Sequence, residues 1–233
     1  MFNDWTYPNF INLLNELGVA SQPTDMGFSV FNPTTDYEYA GTNLATLFAQ
    51  KRNLFSLTHW KMLRDIVRFN KEAIIDLEAG NLEPNESLGH YLVRKHYSAA
   101  FSERYLIPMG SAIWSATQGA MLDFPLEFFI RFFKNHGLLN VVNRPQWRVI
   151  QGGSSTYIAP LIKCFENKIK LNSPVLNIIR HTSNVEIITN TGSNFYDDVV
   201  IACHSDQALA MLGDPTLGEL STLSAITYQK NDV

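Results

Sequence analysis

The chain has 233 residues, of which 45% are hydrophobic and 17% charged, so its composition is that of a globular protein with a sizeable core. Its net charge of −4 and its scattered basic residues exclude the basic surface that a nucleic-acid-binding protein requires. Two cysteines without metal-ligand spacing, an N-terminus without a signal peptide and the lack of any run of ~18 apolar residues favour a cytoplasmic protein without a transmembrane segment.

The first part of the chain, up to residue 148, is predicted to be mostly helical. A short helix is expected in "YPNFINLLNELGV" and a long one in "THWKMLRDIVRFNKEAIIDL", because apolar residues recur there at helical spacing. Ser87 and Ser98 are predicted N-caps of two further helices. Between the first two helices, "GFSVFNPTTDYEYAG" predicts two strands around a turn at Pro33.

A further helix is predicted in "DFPLEFFIRFFKNHG", between Pro125 and Gly137. Its charged residues form one narrow stripe, which predicts a helix that is buried on most sides. The densest basic stretch is "RNLFSLTHWKMLRDIVRFNK", which we interpret as the solvated face of a helix. Six aromatic residues in and before the predicted 125–137 helix either belong to an ordinary core or line an apolar ligand cavity: Trp114, Phe124, Phe128, Phe129, Phe132 and Phe133.

After Trp147 the sequence becomes rich in strand signals. In "WRVIQGGSSTYIAPLIKCF" an extended run meets Gly152 and Gly153 and continues into a helix-like run, without the spacing of a dinucleotide-binding or P-loop motif. A meander of three strands is predicted at residues 175–179, 185–189 and 198–202, followed by a helix from Ser205 to about residue 212.

No nucleophile or metal site emerges from the residues themselves. "GGSST" is not a nucleophile elbow, because Thr156 stands where a glycine is needed. Cys203 and His204 are adjacent, and adjacent residues of an extended chain point to opposite faces, so they do not readily form a nucleophile–base pair. The six histidines are dispersed, so we expect no metal site, and the sequence assigns no catalytic residue.

The last third of the chain resembles a segment of the flavin-containing amine oxidase and phytoene desaturase superfamily. The resemblance rests on a combination of positions along residues 152–202: Gly152, Gly153, Leu161, Val175, Ile178, Glu186, Ile187, Gly192, Asp198, Val200, Ile201 and Ala202. Over nearly the whole length the chain is similar to bacterial proteins described as predicted NAD/FAD-binding, amine-oxidase-like proteins. The flavoprotein-like half fused to some plant cyclopropane fatty acid synthases is also similar. "DMGFSV", "YEYAGTNLATLFAQKRNL", "YLIPMGSAIWS" and "RPQWRVIQGGS" carry this likeness.

The resemblance implies an α+β fragment of a two-domain FAD-dependent oxidoreductase. Residues 1–148 would form a mostly helical substrate-side domain with a β-hairpin, and residues 149–233 the central portion of the FAD-binding domain. Gly152 and Gly153 would then be the turn at which the chain re-enters the flavin domain. The family's G-x-G-x-x-G unit and its C-terminal flavin segment have no counterpart in these residues. We therefore expect an internal segment, inactive by itself, whose full-length parent binds FAD while the segment does not.

The resemblance also implies site residues. The backbone of Val175 would pair with the adenine of FAD, and the substrate-pocket candidates are Trp114, Phe128, Phe132 and Trp147. The substrate would be an amine or a hydrophobic, lipid-like small molecule, and uncovered apolar surface favours self-association. The alternative hypothesis is a non-catalytic binding or interaction module that retains the flavoprotein fold.

Overall fold

The computed structural model describes residues 1–228. It divides into two compact units, Met1–Ile162 and Lys163–Val233. Helices and small antiparallel sheets occur together, which confirms the predicted α+β class. The functional boundary expected between residues 148 and 149 stays a prediction.

The first unit is mainly helical. Its strands are β1 (Phe2–Asn3), β2 (Ser21–Thr24), β3 (Ser29–Asn32), β4 (Tyr37–Ala40) and β5 (Trp147–Ile150). Its helices are α1 (Pro8–Glu16), α2 (Leu44–Leu47), α3 (Leu57–Ala79), α4 (Leu88–Arg94), α5 (Ala99–Phe101), α6 (Ile107–Trp114), α7 (Gln118–Leu122), α8 (Leu126–Asn135) and α9 (Ile158–Ile162). Antiparallel strands pair in the order β1-β5-β2, and β3 pairs with β4 as a separate hairpin. The helices predicted from periodicity and the predicted hairpin are thus confirmed.

Helix α3 organises the main core of this unit. It begins at the N-cap Ser56, whose Oγ accepts the His59 N–H at 3.3 Å, and it ends at Gly80 in the left-handed conformation. The Oγ atoms of Ser87 and Ser98 likewise accept main-chain N–H groups, at 3.2 and 3.3 Å, which confirms both predicted N-caps. The buried face of α3 recurs at helical spacing and includes two carboxylates: Met62, Asp65, Phe69, Ala73 and Asp76.

Pro108 creates a local break in the helix that runs from α5 to α6. A proline cannot donate a hydrogen bond to the carbonyl four residues earlier, which here belongs to Arg104. The Tyr39 hydroxyl donates to that carbonyl oxygen at 2.8 Å instead, and residues 102–106 form a single π-helical turn. The hairpin of β3 and β4 is thereby tied to the helix that it covers.

Next to this bond lies a buried tyrosine–histidine pair. His59 is fully buried, and its Nδ1 lies 2.8 Å from the Tyr37 hydroxyl oxygen. Burial, together with the positive charge of Arg104, lowers the pKa of His59 and outweighs the opposing effect of the Leu47 carbonyl. The folded chain therefore holds this imidazole neutral at a pH where an unfolded chain would begin to protonate it.

This pair predicts a specific loss of stability in mild acid. Because the folded-state pKa of His59 lies below its unfolded value, its contribution is complete above about pH 6.5 and declines as the pH falls toward the folded pKa. Urea unfolding between about pH 8 and pH 5 should show a decline in unfolding free energy that His59→Gln flattens. The matched variant of an exposed histidine, His204→Gln, should leave the decline unchanged. A wild-type slope that persists in His59→Gln would refute the assignment.

The second unit contains a three-stranded antiparallel sheet and two helices. Its elements are β6 (Val175–Arg180), β7 (Val185–Thr189), β8 (Gly192–Tyr196), α10 (Ser205–Met211) and α11 (Leu217–Ser224), and the strand order is β6-β7-β8. A parallel bridge joins Ile178 to Leu212, and the Gly213 N–H donates to the Ile178 carbonyl at 2.9 Å. The first two strands and the helix at Ser205 are confirmed.

The predicted third strand, at residues 198–202, was wrong. Thr189 pairs with Gly192 across a two-residue turn, so the third strand is β8, Gly192–Tyr196, which ends before the predicted range begins. Gly192 has a φ of 131°, which a glycine adopts without strain. Residues 198–202 pair with no strand in the described chain, and Val200 is 92% exposed.

Candidate functional site

Trp114 is the centre of an aromatic surface that joins α6 to α8. It is the last residue of α6, and the following Ser115 takes a left-handed conformation that ends the helix. The Trp114 ring lies 4.6 Å from that of Phe124, 4.9 Å from Phe132 and 6.4 Å from Phe128, measured between centroids. We call these four side chains the aromatic wall. The structure thus brings together three of the predicted pocket residues.

The two faces of α8 have different environments. Phe129 and Phe133 are fully buried and stack with centroids 4.1 Å apart. Phe128 belongs to the other face and is 56% exposed, so the expectation that this helix is buried on most sides was wrong. Phe128 and Phe132 are one turn apart and share that outer face. The aromatic wall is therefore an apolar surface supported from behind by the core.

Trp147 does not belong to the aromatic wall. It is the first residue of β5, where it is paired with Thr24 of β2 and Asn3 of β1. Among the described residues, the aromatic rings that contact Trp114 do not include the ring of Trp147. Trp147 is half-buried, and its assignment to a substrate pocket stays a prediction.

The Gly152–Gly153 turn has the backbone that only glycine adopts easily. Their φ angles are 81° and 93°. The Gly153 N–H donates to the Ile150 carbonyl at 3.1 Å, and the Thr156 hydroxyl donates to the Gly153 carbonyl at 2.8 Å. The chain passes in this way from β5 into a 3₁₀ turn, Ser154–Tyr157, and then into α9. The turn is present as predicted, whereas its role as a re-entry point stays a prediction.

Replacing Gly153 should destabilise this turn. A Cβ atom at position 153 would meet no other atom within 4 Å. The change in unfolding free energy caused by Gly153→Ala therefore measures the cost of the backbone conformation without a steric clash. Forcing a non-glycine residue into this region costs about 1–3 kcal/mol of unfolding free energy. Gly119→Ala is the matched control, because Gly119 lies in α7 with equally open space and alanine favours a helix by about 1 kcal/mol. Equal effects of the two substitutions in chemical unfolding would contradict this interpretation.

Val175 is the first residue of β6, an edge strand of its sheet. Within residues 1–228, β7 pairs with one side of β6, and the other side carries only the short bridge to Leu212. A register shift between Val175 and Asn177 marks a bulge at this end of the strand. An edge of this kind presents main-chain donors and acceptors, which is compatible with the adenine contact expected for Val175.

A groove of about 780 Å³ runs along the same unit, and sequence reasoning missed it. Its lining is mostly apolar and begins at Ile178, so Val175 is not part of it. At one end Arg180 contacts Glu219 at 2.7 Å and Asp214 at 3.2 Å. The hydrogen bond from Arg180 lowers the pKa of Glu219 to about 2. Because two carboxylates already occupy this guanidinium, the groove has no unpaired arginine here for a phosphate group.

A cluster of metal-ligand type lies in the first unit but already contains a cation. Oxygen and nitrogen atoms of Glu83, Glu86 and His90 lie within 4.8 Å of one another. The Arg94 guanidinium donates to both carboxylate oxygens of Glu86, each at 2.7 Å. The arginine neutralises the buried carboxylate and would repel a metal ion, so we assign no metal to this cluster.

The chain matches a known protein family over almost its whole length. The sequence model of "Flavin containing amine oxidoreductase" matches residues 1–230. The chain belongs to this family. The predicted resemblance to flavin-containing amine oxidases, and with it the prediction of an amine-oxidase-like flavoprotein class, is confirmed.

Solved structures of putrescine oxidase have a similar fold. One, the wild-type enzyme bound to putrescine, has a TM-score of 0.62 and 15% sequence identity; a triple mutant has a TM-score of 0.62 and 14% identity. In both comparisons 95% of this chain and 51% of the other chain are covered. The chain therefore spans about half the length of these oxidases. No curated protein matches the chain.

None of the helices in the described part of the chain combines the length and the hydropathy needed to cross a bilayer. The candidate functional surfaces of this member of the flavin-containing amine oxidoreductase family are the aromatic wall of the first unit and the β6 edge of the second.

Proposed function

We propose that the chain is an internal segment of an FAD-dependent, amine-oxidase-like oxidoreductase that acts on an amine or on a hydrophobic, lipid-like substrate. The family match over residues 1–230 and the coverage of half of putrescine oxidase support this proposal. The observation that carries the substrate assignment is the aromatic wall, which presents the 56% exposed Phe128 on a helix whose other face is fully packed.

The aromatic wall would bind the apolar part of a substrate and exclude water from it. Trp114 adds one polar group, because its indole N–H has no acceptor among the described residues and is available to orient a polar substrate atom. The support behind the wall is rigid, since Phe129 also contacts the Trp114 ring at 5.6 Å. These residues position a substrate and transfer no proton.

The cofactor side of the proposal concerns Val175. Bound FAD supplies the two-electron redox chemistry of such enzymes. This chain would contribute the backbone donor and acceptor of Val175 at the open edge of β6, which would pair with the adenine ring. In the groove of the second unit, Arg180 is already paired with Asp214 and Glu219 and is not free to bind a phosphate group. We therefore assign the binding of the FAD pyrophosphate to other parts of the parent protein.

Two experiments test the proposed function in the longer protein. The purified parent should carry the yellow absorbance of flavin, and anaerobic mixing with putrescine or a long-chain primary amine should bleach it as the amine loses two electrons and two protons.

Phe128→Ala should raise KM for the preferred amine, whereas Val142→Ala, a change at a 71% exposed residue in a loop, should leave KM unchanged. A parent without flavin would favour the non-catalytic binding module instead.

The 233-residue chain by itself is expected to bind FAD weakly and to be inactive. Adenine contacts at one strand edge do not offset the entropy lost when a flexible dinucleotide is ordered. Titration calorimetry should therefore show no sub-micromolar affinity for FAD. Tight binding by this chain would contradict the assignment of the pyrophosphate site to other parts of the parent.

We extend the proposal to the setting of the protein. A cytoplasmic location is supported by Cys164 and Cys203, which are both exposed free thiols. Self-association is supported by apolar side chains exposed in the second unit, among them Val200 at 92% and Leu217 at 86%. Sedimentation of the isolated chain should reveal dimers or larger species, and Val200→Ser should reduce them.

A further inference from the structure

The outer face of α3 carries an unusual combination of exposed apolar and basic side chains. Phe55 and Leu57, just before and at the start of the helix, are 90% and 86% exposed. Further along, Trp60 is 49% and Val67 60% exposed. Large apolar side chains that are nearly free of protein contacts and close together in the chain mark an interaction surface.

Basic residues occupy the same stretch. Between residues 51 and 71 the sequence has six lysines and arginines and one carboxylate, Asp65, in a chain whose net charge is −4. Asp65 is fully buried and contacts Arg64 and Arg68, so it offsets part of the arginine charge but none of the charge of the exposed lysines. In the described structure Lys51, Lys61 and Lys71 are exposed and have no ion-pair partner.

The apolar and basic side chains share one side of the helix. Positions 57, 60, 61, 64, 67 and 71 follow the three- and four-residue spacing of a single face. All of them are exposed, whereas Met62, Asp65 and Phe69 form the buried face opposite. We call these exposed residues, together with Phe55 just before the helix, the α3 strip: Phe55, Leu57, Trp60, Lys61, Arg64, Val67 and Lys71.

The strip is held rigidly. The Trp60 indole N–H donates to the Leu54 carbonyl at 2.9 Å, which fixes the short 3₁₀ helix Lys51–Phe55 against α3. The Trp60 ring also contacts that of Phe48, with centroids 5.1 Å apart. Phe55 and Leu57 thus project from an ordered support. Two arginines already have acidic partners: Arg52, next to the strip, contacts the exposed Asp36, and Arg64 of the strip contacts Asp65.

We infer that the α3 strip binds the surface of a bilayer that contains anionic phospholipids. Phe55 and Leu57 would enter the boundary between headgroups and acyl chains, Trp60 would lie at the headgroup level, and the lysines would contact lipid phosphates. The charge of the strip is complementary to such a surface, where each lysine contributes about 1 kcal/mol of binding. This attachment lies along the surface and does not depend on the proposed oxidoreductase function.

Vesicle flotation tests the inference with the 233-residue chain. Flotation on a density gradient separates vesicle-bound protein from aggregates, which sink. The chain should float with vesicles of equal parts phosphatidylcholine and phosphatidylglycerol, and not with phosphatidylcholine alone. Raising the salt from ~0.1 M to ~1 M should release it, because the Debye length falls from about 10 Å to 3 Å.

Paired variants distinguish binding through the α3 strip from non-specific adsorption of the protein to vesicles. Lys61→Gln with Lys71→Gln should weaken partitioning at least tenfold, and Phe55→Ser with Leu57→Ser should abolish flotation. The controls make the same chemical changes at exposed positions elsewhere: Lys163→Gln with Lys168→Gln, and Val141→Ser with Val142→Ser. Far-UV circular dichroism should show all of them folded.

Several results would overturn the inference. They are failure of the wild-type chain to float with anionic vesicles, flotation that the strip variants do not reduce, and equal losses in the controls. Binding of duplex DNA that the strip variants weaken, without flotation, would identify a nucleic-acid surface and also overturn it.

Discussion

Phe129→Ala is expected to lower the free energy of unfolding by about 3–5 kcal/mol, because it removes a large buried ring and leaves a cavity. Phe129 is fully buried, and its ring contacts those of Phe69, Trp114 and Phe133. Urea unfolding monitored by circular dichroism measures the change. The neighbouring substitution Phe128→Ala should cost less than about 1 kcal/mol, because that ring is 56% exposed.

The comparison of these adjacent phenylalanines is the sharpest test of the two faces of α8. Equal losses of stability in both variants would mean that Phe128 also belongs to the core, and the aromatic wall would lose its most accessible member. A small loss for Phe129→Ala would contradict the packing of the core itself.

Asp65→Ala is expected to cost about 1–3 kcal/mol, because it removes a fully buried carboxylate that satisfies a buried main-chain N–H group. The Asp65 side chain is fully buried and accepts the Ser98 N–H at 3.0 Å and Arg64 at 3.2 Å. Without it the buried Ser98 N–H has no acceptor. Asp65→Asn should be milder, since an amide oxygen still accepts from Ser98, and Glu103→Ala, at an exposed helical carboxylate, should have little effect.

The same carboxylate should contribute to acid unfolding. Burial by itself raises the pKa of Asp65, but the hydrogen bonds from Ser98 and Arg64 outweigh burial and hold this pKa below its usual value. Its contribution to stability is therefore present above the unfolded pKa of about 3.9 and is lost as the pH falls through the folded pKa. Asp65→Asn should reduce the dependence of stability on pH in that acidic range, and an unchanged profile would contradict the assignment.

Local signals in the sequence were sufficient to predict most helices and the hairpin of β3 and β4. Apolar periodicity predicted α3, and serines at the start of α4 and α5 predicted their caps, because these features depend on neighbours a few residues away. Asp65 within the apolar stripe of α3 gave no such signal, since its partner Ser98 is 33 residues away.

Features that depend on distant partners were missed. The β-branched run at residues 198–202 has the composition of a strand, but composition does not say whether a partner strand is present. Trp147 was proposed as a pocket residue because it lies just before the Gly152–Gly153 turn, and its pairing with Thr24 in the sheet gave no local signal. Its assignment to a pocket stays a prediction. The groove of the second unit combines residues from β6, α10 and α11, which no single stretch of sequence identifies.

The central claim is that this member of the flavin-containing amine oxidoreductase family contributes the edge of β6 to FAD binding. It is tested most directly by the flavin content of the purified parent protein carrying Val175→Pro, compared with Val175→Ile. Proline removes the backbone donor and is tolerated at the first residue of an edge strand, whereas isoleucine keeps the backbone intact. We predict that Val175→Ile retains the wild-type ratio of flavin to protein and that Val175→Pro, folded by circular dichroism, loses most of its flavin. A folded Val175→Pro protein with full flavin content would contradict the claim.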